Sequence, residues 1–469
     1  MNICIIGTGA SGWIACTMLK KLSFIKNITI IGSSKIPTIG VGESTTFYFV
    51  SDVLNNVELK DFVQESDAAV KYGVYYQNWG KKDYIHYFTN RLEESWESRM
   101  ALGNKDPEVY IHDLRAIKLW NFIQKNEVSL NFKEYIHSWH FDAGKFISFL
   151  KKVNLKDNKV TFIDDTIIDC KFAGDKIEYI VGENNQKYAA DYFVNCCGDN
   201  NLNEKVFKEE YVSLSPYLLT NKALFYPLKY TSKRDQFHPY TVAKTMNYGW
   251  RWITPTQSRI GTGYVFSDNY ISADEATHEL LTDIGDMSLE PRLVDFKPRY
   301  NKRTFKSNSC TIGMANAFFE PLDAPGLSLT VFETKLLINL INPKNINNTS
   351  FLELTNKNLT FTEKLWCVFI LDQYKTAWRT DTQFWIDHKN VQWDHYDSMH
   401  DMIFKTFAFN EEYYYRMHNM PDIDVPSLIY TTAAKDVQWK SKVIQKPVPI
   451  ELPDTETIHH LDYIQRFYD

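Results

Sequence analysis

A continuous apolar run that leads into three closely spaced glycines opens this chain and constrains its fold more than any other feature. The run NICIIG (2–7) has the composition of a strand buried on both faces of a parallel sheet. Gly7, Gly9 and Gly12 then fit the pattern G-x-G-x-x-G. In this pattern the first glycine permits a tight turn, the second lets a pyrophosphate approach the backbone, and the third lets a helix pack on the strand.

The next two segments extend this unit. WIACTMLKKL (13–22) has a helical period, so the N–H groups at the start of that helix would face the phosphates. The apolar strand NITIIG (27–32) follows, and this order favours a Rossmann-type dinucleotide site over a glycine-rich surface turn. Such sites usually offer Asp or Glu to the ribose after the second strand, but this chain has Gly32, Ser33 and Ser34. We therefore predict nucleotide binding of reduced affinity.

Composition excludes several other classes of protein. The chain has 469 residues, enough for two or three structural units, and its net charge of -6 gives no electrostatic case for nucleic acid. It lacks a run of about 18 apolar residues and a signal-peptide pattern, so we expect a cytosolic protein without a membrane partner. Its 7 cysteines include no C-x-x-C pair, which predicts reduced core thiols and no metal site.

Further motifs follow the glycine turn along the chain. They are IPTIGVGESTT (36–46), WHFDAGKF (139–146), GWRWITP (249–255), FFEPLDAPGL (318–327) and RTDTQFW (379–385). In this order they resemble the flavin-dependent halogenases of the tryptophan-halogenase type, over roughly residues 1–390. The tryptophan box GWRWITP is the most specific of them, because it separates these halogenases from ordinary flavin monooxygenases.

The resemblance implies an α/β fold, with an FAD-binding, flavin-monooxygenase-like module of mixed sheets over residues 1–345. From about residue 346 the apolar pattern becomes helical, which predicts a mainly helical substrate-covering subdomain over 346–469. The family uses FAD as FADH2, which a separate flavin reductase supplies. FADH2, oxygen and halide generate hypohalous acid, which travels through a tunnel to a small, electron-rich aromatic substrate. A transient reductase partner and a homo-oligomer are compatible with this interpretation.

The resemblance also assigns cofactor-binding residues. They lie in the glycine turn, in a strap over the FAD, and at the end of the EPLDAPGL segment: Gly7, Gly9, Ser11, Gly12, Ser33, Ile36, Glu43, Ser44 and Leu327.

Lys71, in SDAAVKYGVYYQNWG (66–80), matches the family's tunnel lysine. An isolated lysine is usually a solvated surface residue, but small and apolar neighbours here indicate an enclosed side chain. Burial would lower the lysine pKa. The resemblance implies that this lysine passes the hypohalous acid on to the substrate. It would do so either as a nucleophilic amine that forms a haloamine or as an ammonium that activates hypohalous acid by hydrogen bonding. The sequence leaves both routes open.

Trp250 and Trp252 lie two positions apart, so on a strand they share one face. Core packing is the ordinary interpretation of such a pair. The resemblance places them instead between flavin and substrate, where they would exclude water and suppress monooxygenation.

The halide end departs from the family pattern. Where the relatives have Glu-Ser-Thr-Gly, this chain has Asp323, Ala324, Pro325 and Gly326. The resemblance gives Asp323 the role of a catalytic carboxylate and places the halide at Pro325 and Gly326. Ala324 has no hydroxyl and Pro325 has no N–H, so only the N–H of Gly326 remains to hold a halide. Losing one charge-assisted hydrogen bond, worth roughly 1.5 to 3 kcal/mol, should penalise chloride most, because chloride is the most strongly hydrated of the three halides. We therefore predict a preference for bromide or iodide, unless Pro325 only shapes a turn and the halide binds elsewhere.

Two other functions remain open at this point. An aromatic hydroxylase would use the same flavin without halide, and an inactive flavin-binding scaffold would account for Gly32, Ala324 and Pro325. The tryptophan box and Lys71 argue against the hydroxylase. The residues by which the family holds free tryptophan find no match in this chain, so the resemblance does not indicate tryptophan itself as the substrate. Some of Tyr413, Tyr414 and Tyr415 could line a pocket, although helix packing is the ordinary interpretation.

Overall fold

The structure is a computed structural model, and it describes residues 1–36, 44–45, 49, 52–55, 57–80, 83–87, 125–129, 137–198, 202–399 and 457–468. Its strands are β1 (Asn2–Ile6), β2 (Asn27–Gly32), β3 (Ala69–Lys71), β4 (Gly73–Gln77), β5 (Tyr84–Tyr87), β6 (Glu127–Ser129), β7 (Ser138–His140), β8 (Val160–Asp164), β9 (Ile167–Ala173), β10 (Lys176–Gly182), β11 (Lys187–Tyr188), β12 (Tyr192–Asn195), β13 (Tyr211–Ser213), β14 (Lys222–Leu228), β15 (Thr241–Met246), β16 (Gly249–Pro255), β17 (Ile260–Phe266), β18 (Arg292–Asp295), β19 (Arg299–Asn301), β20 (Ser309–Thr311), β21 (Ala317–Phe318) and β22 (Thr457–His459). Its helices are α1 (Ala10–Leu19), α2 (Leu59–Glu65), α3 (Ala143–Asn154), α4 (Lys233–Gln236), α5 (Ala273–Ile284), α6 (Pro325–Leu340), α7 (Thr349–Lys375), α8 (Gln383–Asn390) and α9 (His460–Gln465).

A parallel sheet of order β20-β12-β1-β2-β8 forms the first layer. Apolar residues on both faces of β1 and β12 are buried, as the continuous apolar runs predict. Helix α1 packs on this sheet and against α3 and α6. Trp13, Phe146 and Leu336 from these three helices share one core, so the glycine turn and the start of α6 belong to the same packed unit.

A second, mixed sheet has the order β18-β14-β17-β16-β15-β4-β5. Its strands pair antiparallel except for the parallel contact between β15 and β4. Trp250 and Trp252 of β16 share a core with residues of α7 and α8, including Trp366 and Trp385. The tryptophan box thus lies between the sheet and the helical region.

The remaining strands form smaller sheets, of which the pair β3–β7 matters most for function. Its antiparallel register sets Lys71 opposite Ser138, Val70 opposite Trp139 and Ala69 opposite His140.

This architecture confirms the predicted α/β class with mixed sheets and a helical region toward the carboxy-terminal side. The proposed boundary after residue 345 falls between α6 and α7 and stays a prediction. Within the described ranges, no helix combines the length and apolar character that crossing a membrane requires.

Candidate active site

The glycine turn between β1 and α1 has the shape of a phosphate cradle. Gly7 has φ +107, and a Cβ there would lie 2.8 Å from the Cys196 carbonyl. At Gly12 a Cβ would lie 2.0 Å from the Gly7 oxygen, so helix and strand pack too closely for any side chain. At Gly9, by contrast, a Cβ would have no described atom within 4 Å. This open backbone at the start of a helix fits the pyrophosphate of FAD.

A carboxylate lies beside the end of the second strand, on the neighbouring strand β8. Gly32 pairs with Asp164 at the end of β8, and the backbone N–H of Ser34 donates to Asp164 Oδ1 over 2.8 Å. The hydrogen bonds from Ser34 hold the pKa of this exposed carboxyl below its usual value. Sequence reasoning missed Asp164, because nothing in its own segment places β8 beside β2.

The other predicted strap residues have different surroundings. Ser33 accepts a hydrogen bond from the Lys35 N–H over 3.3 Å, and Ile36 is largely exposed. Glu43 lies outside the described residues. Ser44 contacts Lys71, as described below.

Ser11 connects the glycine turn to α6. Its hydroxyl is hydrogen-bonded to the hydroxyl of Thr330 over 3.0 Å, and Thr330 in turn donates to the Gly326 carbonyl over 2.9 Å. Gly313 leaves room for Ser11, since a Cβ there would lie 2.1 Å from Ser11 Oγ. The flavin turn and the segment predicted to hold halide are therefore linked through two side chains.

Lys71 is buried at the end of β3, with 1% of its surface exposed. Its Nζ donates to Ser44 Oγ over 2.6 Å and to the Thr45 carbonyl over 3.3 Å. Burial lowers the pKa of Lys71 to about 8, while the Asp323 carboxylate acts in the opposite direction. Both the amine and the ammonium are thus accessible near neutral pH.

Asp323 is buried and lies within electrostatic range of Lys71. The Tyr76 hydroxyl, on the strand that follows Lys71, donates to Asp323 Oδ2. Asp323 and Ala324 have φ values of 60 and 56, a left-handed conformation that is uncommon for residues other than glycine. The structure thus brings the two predicted catalytic residues close together. It also adds Tyr76, whose contact with Asp323 is not indicated by any local sequence pattern.

The segment after Asp323 starts a helix. The Ala324 N–H closes a turn on the Pro321 carbonyl over 2.9 Å, and Pro325 is the first residue of α6. Proline is favoured there because the first N–H groups of a helix have no partner within it. Ala324 provides no capping side chain, and a Cβ at Gly326 would meet no described atom within 4 Å. The N–H groups of Gly326 and Leu327 in this first turn are suited to hold an anion.

Trp250 and Trp252 are both buried, and their ring centroids lie 6.2 Å apart at an interplanar angle of 58°. Gly263 on the neighbouring strand makes room for them, because a Cβ there would lie 2.1 Å from the Trp252 ring. Arg251, between the two tryptophans, pairs with Asp283 of α5 over 2.7 Å.

Glu320 anchors the start of the EPLDAPGL segment through buried hydrogen bonds. Its Oε2 accepts hydrogen bonds from the Thr220 hydroxyl over 2.6 Å and from the Tyr374 hydroxyl over 2.8 Å. Burial raises the pKa of Glu320 to about 7, and the groups of Thr220, Tyr374 and Trp250 partly oppose this. Sequence reasoning identified Glu320 only as a motif residue.

Comparisons with known proteins agree with this geometry. A protein-family model described as "Tryptophan halogenase" matches residues 2–421. The chain is 26% identical to tryptophan 7-halogenase RebH of Lentzea aerocolonigenes, over 83% of this chain and 79% of that protein. A tryptophan halogenase from Shewanella frigidimarina NCIMB 400 superimposes with a TM-score of 0.80 at 21% identity, covering 100% of this chain and 93% of that one. Tar14, a tryptophan C-6 flavin-dependent halogenase described as a chlorinase, has a TM-score of 0.80 at 19% identity and covers 99% of this chain and 95% of its own.

Proposed function

This chain belongs to the tryptophan halogenase family and is an FADH2-dependent enzyme, and we propose that in it Lys71 relays hypohalous acid to an electron-rich aromatic substrate. The family is flavin-dependent and uses FADH2 that a separate reductase supplies. We propose the reductase as a functional partner that forms no lasting complex. The observation that carries the relay is the burial of Lys71 together with its contacts to Ser44 and the nearby Asp323.

The flavin, when bound, supplies with oxygen the two-electron oxidation of halide to hypohalous acid. The turn of Gly7, Gly9 and Gly12 binds the pyrophosphate, because it leaves backbone N–H groups open at the start of α1. Gly326 donates its N–H group to the halide at the start of α6, where Pro325 has none to offer. Trp250 and Trp252 exclude water from the path between halide and substrate.

Lys71 holds the hypohalous acid at its Nζ, either by hydrogen bonding as the ammonium or by forming an N–halogen bond as the amine. The halogen then replaces a hydrogen on the aromatic ring. In the hydrogen-bonded route, the halogen–oxygen bond breaks and the leaving hydroxide takes a proton from the Lys71 ammonium to become water. In the haloamine route, water leaves when the N–halogen bond forms, and the Lys71 nitrogen takes up a proton when that bond breaks. The ring proton replaces the proton that Lys71 or its surroundings gave up. Asp323 takes up the ring proton, and Tyr76 orients its carboxylate.

We also propose a preference for bromide or iodide over chloride. Pro325 removes one N–H at the helix start, and chloride loses most when a stripped anion lacks a donor. Tar14 is described as a chlorinase, and it is a protein to which this chain is only 19% identical. The proposed halide preference therefore rests only on the N–H group that Pro325 lacks.

The relay is tested with Lys71→Ala and, as a matched control, Lys176→Ala at an exposed lysine. Each variant is incubated with a flavin reductase, NADH, FAD, oxygen and bromide, and an indole, phenol and tryptophan panel is analysed by mass spectrometry. We expect Lys71→Ala to oxidise FADH2 at the normal rate and to lose halogenated product by at least about a hundredfold. Halogenation retained in Lys71→Ala would exclude the relay, and oxygen addition in place of halogen would favour the hydroxylase.

A further inference from the structure

Residues 457–468 lie beyond residue 421, where the match to the family model ends, yet they dock next to Lys71. Strand β22 pairs antiparallel with β6, and α9 follows at once. The first residue of α9, His460, is fully buried.

His460 contacts the lysine strand directly. The backbone N–H of Val70, the residue before Lys71, donates to His460 Nε2 over 3.2 Å. Burial lowers the pKa of His460 to about 3, so its ring stays neutral and Nε2 stays an acceptor. The imidazole stacks on Phe237 with centroids 4.4 Å apart and an interplanar angle of 11°.

This contact completes the outer edge of β3. One edge of the strand pairs with β7. On the other edge, the N–H groups on either side of Lys71 have separate partners: Tyr72 donates to the Pro239 carbonyl over 2.8 Å, and Val70 donates to His460. Both bonds fix the backbone from which the Lys71 side chain projects.

The same segment also reaches two neighbouring elements. The Gln64 side chain of α2 donates to the Phe467 carbonyl, and the Tyr468 hydroxyl donates to Gln257. Gln257, just after β16, donates in turn to the Val63 and Ala68 carbonyls, each over 2.8 Å. The segment thus joins the lysine strand to the end of the tryptophan-box strand.

We propose that His460 is a positioning residue for halogen transfer, which fixes the outer edge of β3 and thereby holds Lys71 Nζ toward Ser44 and Asp323. This inference rests on the proposed relay function of Lys71. A displacement of about 1 Å at a reacting group can lower a rate by roughly a hundredfold. Loss of the acceptor should therefore impair halogen transfer without impairing FADH2 oxidation.

Two substitutions separate the acceptor from the bulk of the ring. His460→Phe keeps a planar ring on Phe237 but offers no acceptor, whereas His460→Gln places an acceptor oxygen near the position of Nε2. Asp462→Asn, at an exposed position of the same helix, is the control. The measurements are FADH2 oxidation with bromide, the thermal midpoint, and the share of oxidised bromide that appears in the aromatic probe rather than in a soluble scavenger. The probe is the member of the indole, phenol and tryptophan panel that the unmodified enzyme halogenates best.

We expect His460→Phe to oxidise FADH2 normally. The share of oxidised bromide found in the probe rather than in the scavenger should fall by roughly tenfold or more. His460→Gln should restore most of the share, and Asp462→Asn should match the unmodified enzyme. A normal share in His460→Phe, with Lys71→Ala inactive, would overturn the positioning role while leaving the relay intact. Equal losses of thermal midpoint, oxidation and transfer in both His460 variants would also overturn it, since they indicate a purely structural residue. Full halogenation by Lys71→Ala, or no halogenation of any probe by the unmodified enzyme, would instead refute the proposed function itself.

Discussion

At the scale of single residues, the pKa of Lys71 would decide which chemical form carries the halogen in the proposed relay. Burial brings this pKa to about 8, with Asp323 opposing the shift. The neighbouring His140 is buried, and its pKa is held well below the usual value, so it stays neutral over the same pH range. Burial raises the pKa of Glu320 to about 7, so a change in transfer rate near pH 8 is assigned to Lys71 by comparison with a Lys71 variant that does not titrate.

We expect single-turnover halogen transfer, measured by rapid quench from pH 6 to 10, to show a midpoint near the pKa of about 8. A lowered lysine pKa means that the amine fraction rises about tenfold between pH 7 and pH 9. A haloamine route therefore accelerates with pH, and a hydrogen-bonding ammonium route slows. Lys71→Arg, which stays charged, is the control and should give a flat profile. A flat profile in the unmodified enzyme would contradict a titrating relay residue.

At the scale of elements, α6 begins within the segment where this chain departs from the family pattern. The EPLDAPGL motif was recognised from the sequence, but the helix starting at Pro325 was not predicted, although proline at the first position is a known helix-start signal. In the structure, Pro325, which has no N–H, is the first residue of α6. The next two residues of the first turn keep their N–H groups.

Restoring this donor should change the halide preference. Pro325→Thr returns an N–H at the helix start, and one charge-assisted hydrogen bond is worth roughly 1.5 to 3 kcal/mol. Because bromide also gains this bond, only the difference between the two halides changes the ratio. We expect the ratio of chloride to bromide turnover, measured by competition at equal concentrations, to rise about threefold or more. Pro321→Ala removes a proline outside the helix and should leave the ratio unchanged. Chloride preferred by the unmodified enzyme, or an unaltered ratio in Pro325→Thr, would place the halide elsewhere.

At the scale of the whole molecule, the sequence predicted local motifs well and distant contacts poorly. The glycine turn and its flanking strand and helix lie within one short segment, so their local pattern identified them. The fold class was implied by the family resemblance that the ordered motifs carry. The partners of site residues are far away in sequence: Ser11 and Thr330 are 319 residues apart, and Tyr76 and Asp323 are 247 apart. Such contacts are set by tertiary packing. The sequence around a hydroxyl-bearing residue does not indicate which distant residue it will contact.

The contact between Ser11 and Thr330 should influence flavin affinity from the opposite end of the chain. Thr330→Val removes one hydroxyl and keeps the side-chain shape. Because a hydrogen bond contributes about 0.5 to 1.5 kcal/mol, we expect the FAD dissociation constant, measured by fluorescence, to rise about threefold to tenfold. Thr334→Val is the matched control, since Thr334 donates to the Thr330 carbonyl one turn further along α6. Equal effects of the two variants on FAD affinity would show that the hydroxyl pair has no specific role.

The contact between Val70 and His460 spans 390 residues and so has a consequence for synthesis. A ribosome that adds about 5 to 20 residues per second needs roughly 20 to 80 s to cover that distance. During this interval the flavin turn and the lysine strand have already left the exit tunnel, but the outer edge of β3 has no histidine to bind. The nascent chain can therefore complete the unit of glycine turn, parallel sheet and α6 before it gains the histidine contact that would order the proposed halogen relay.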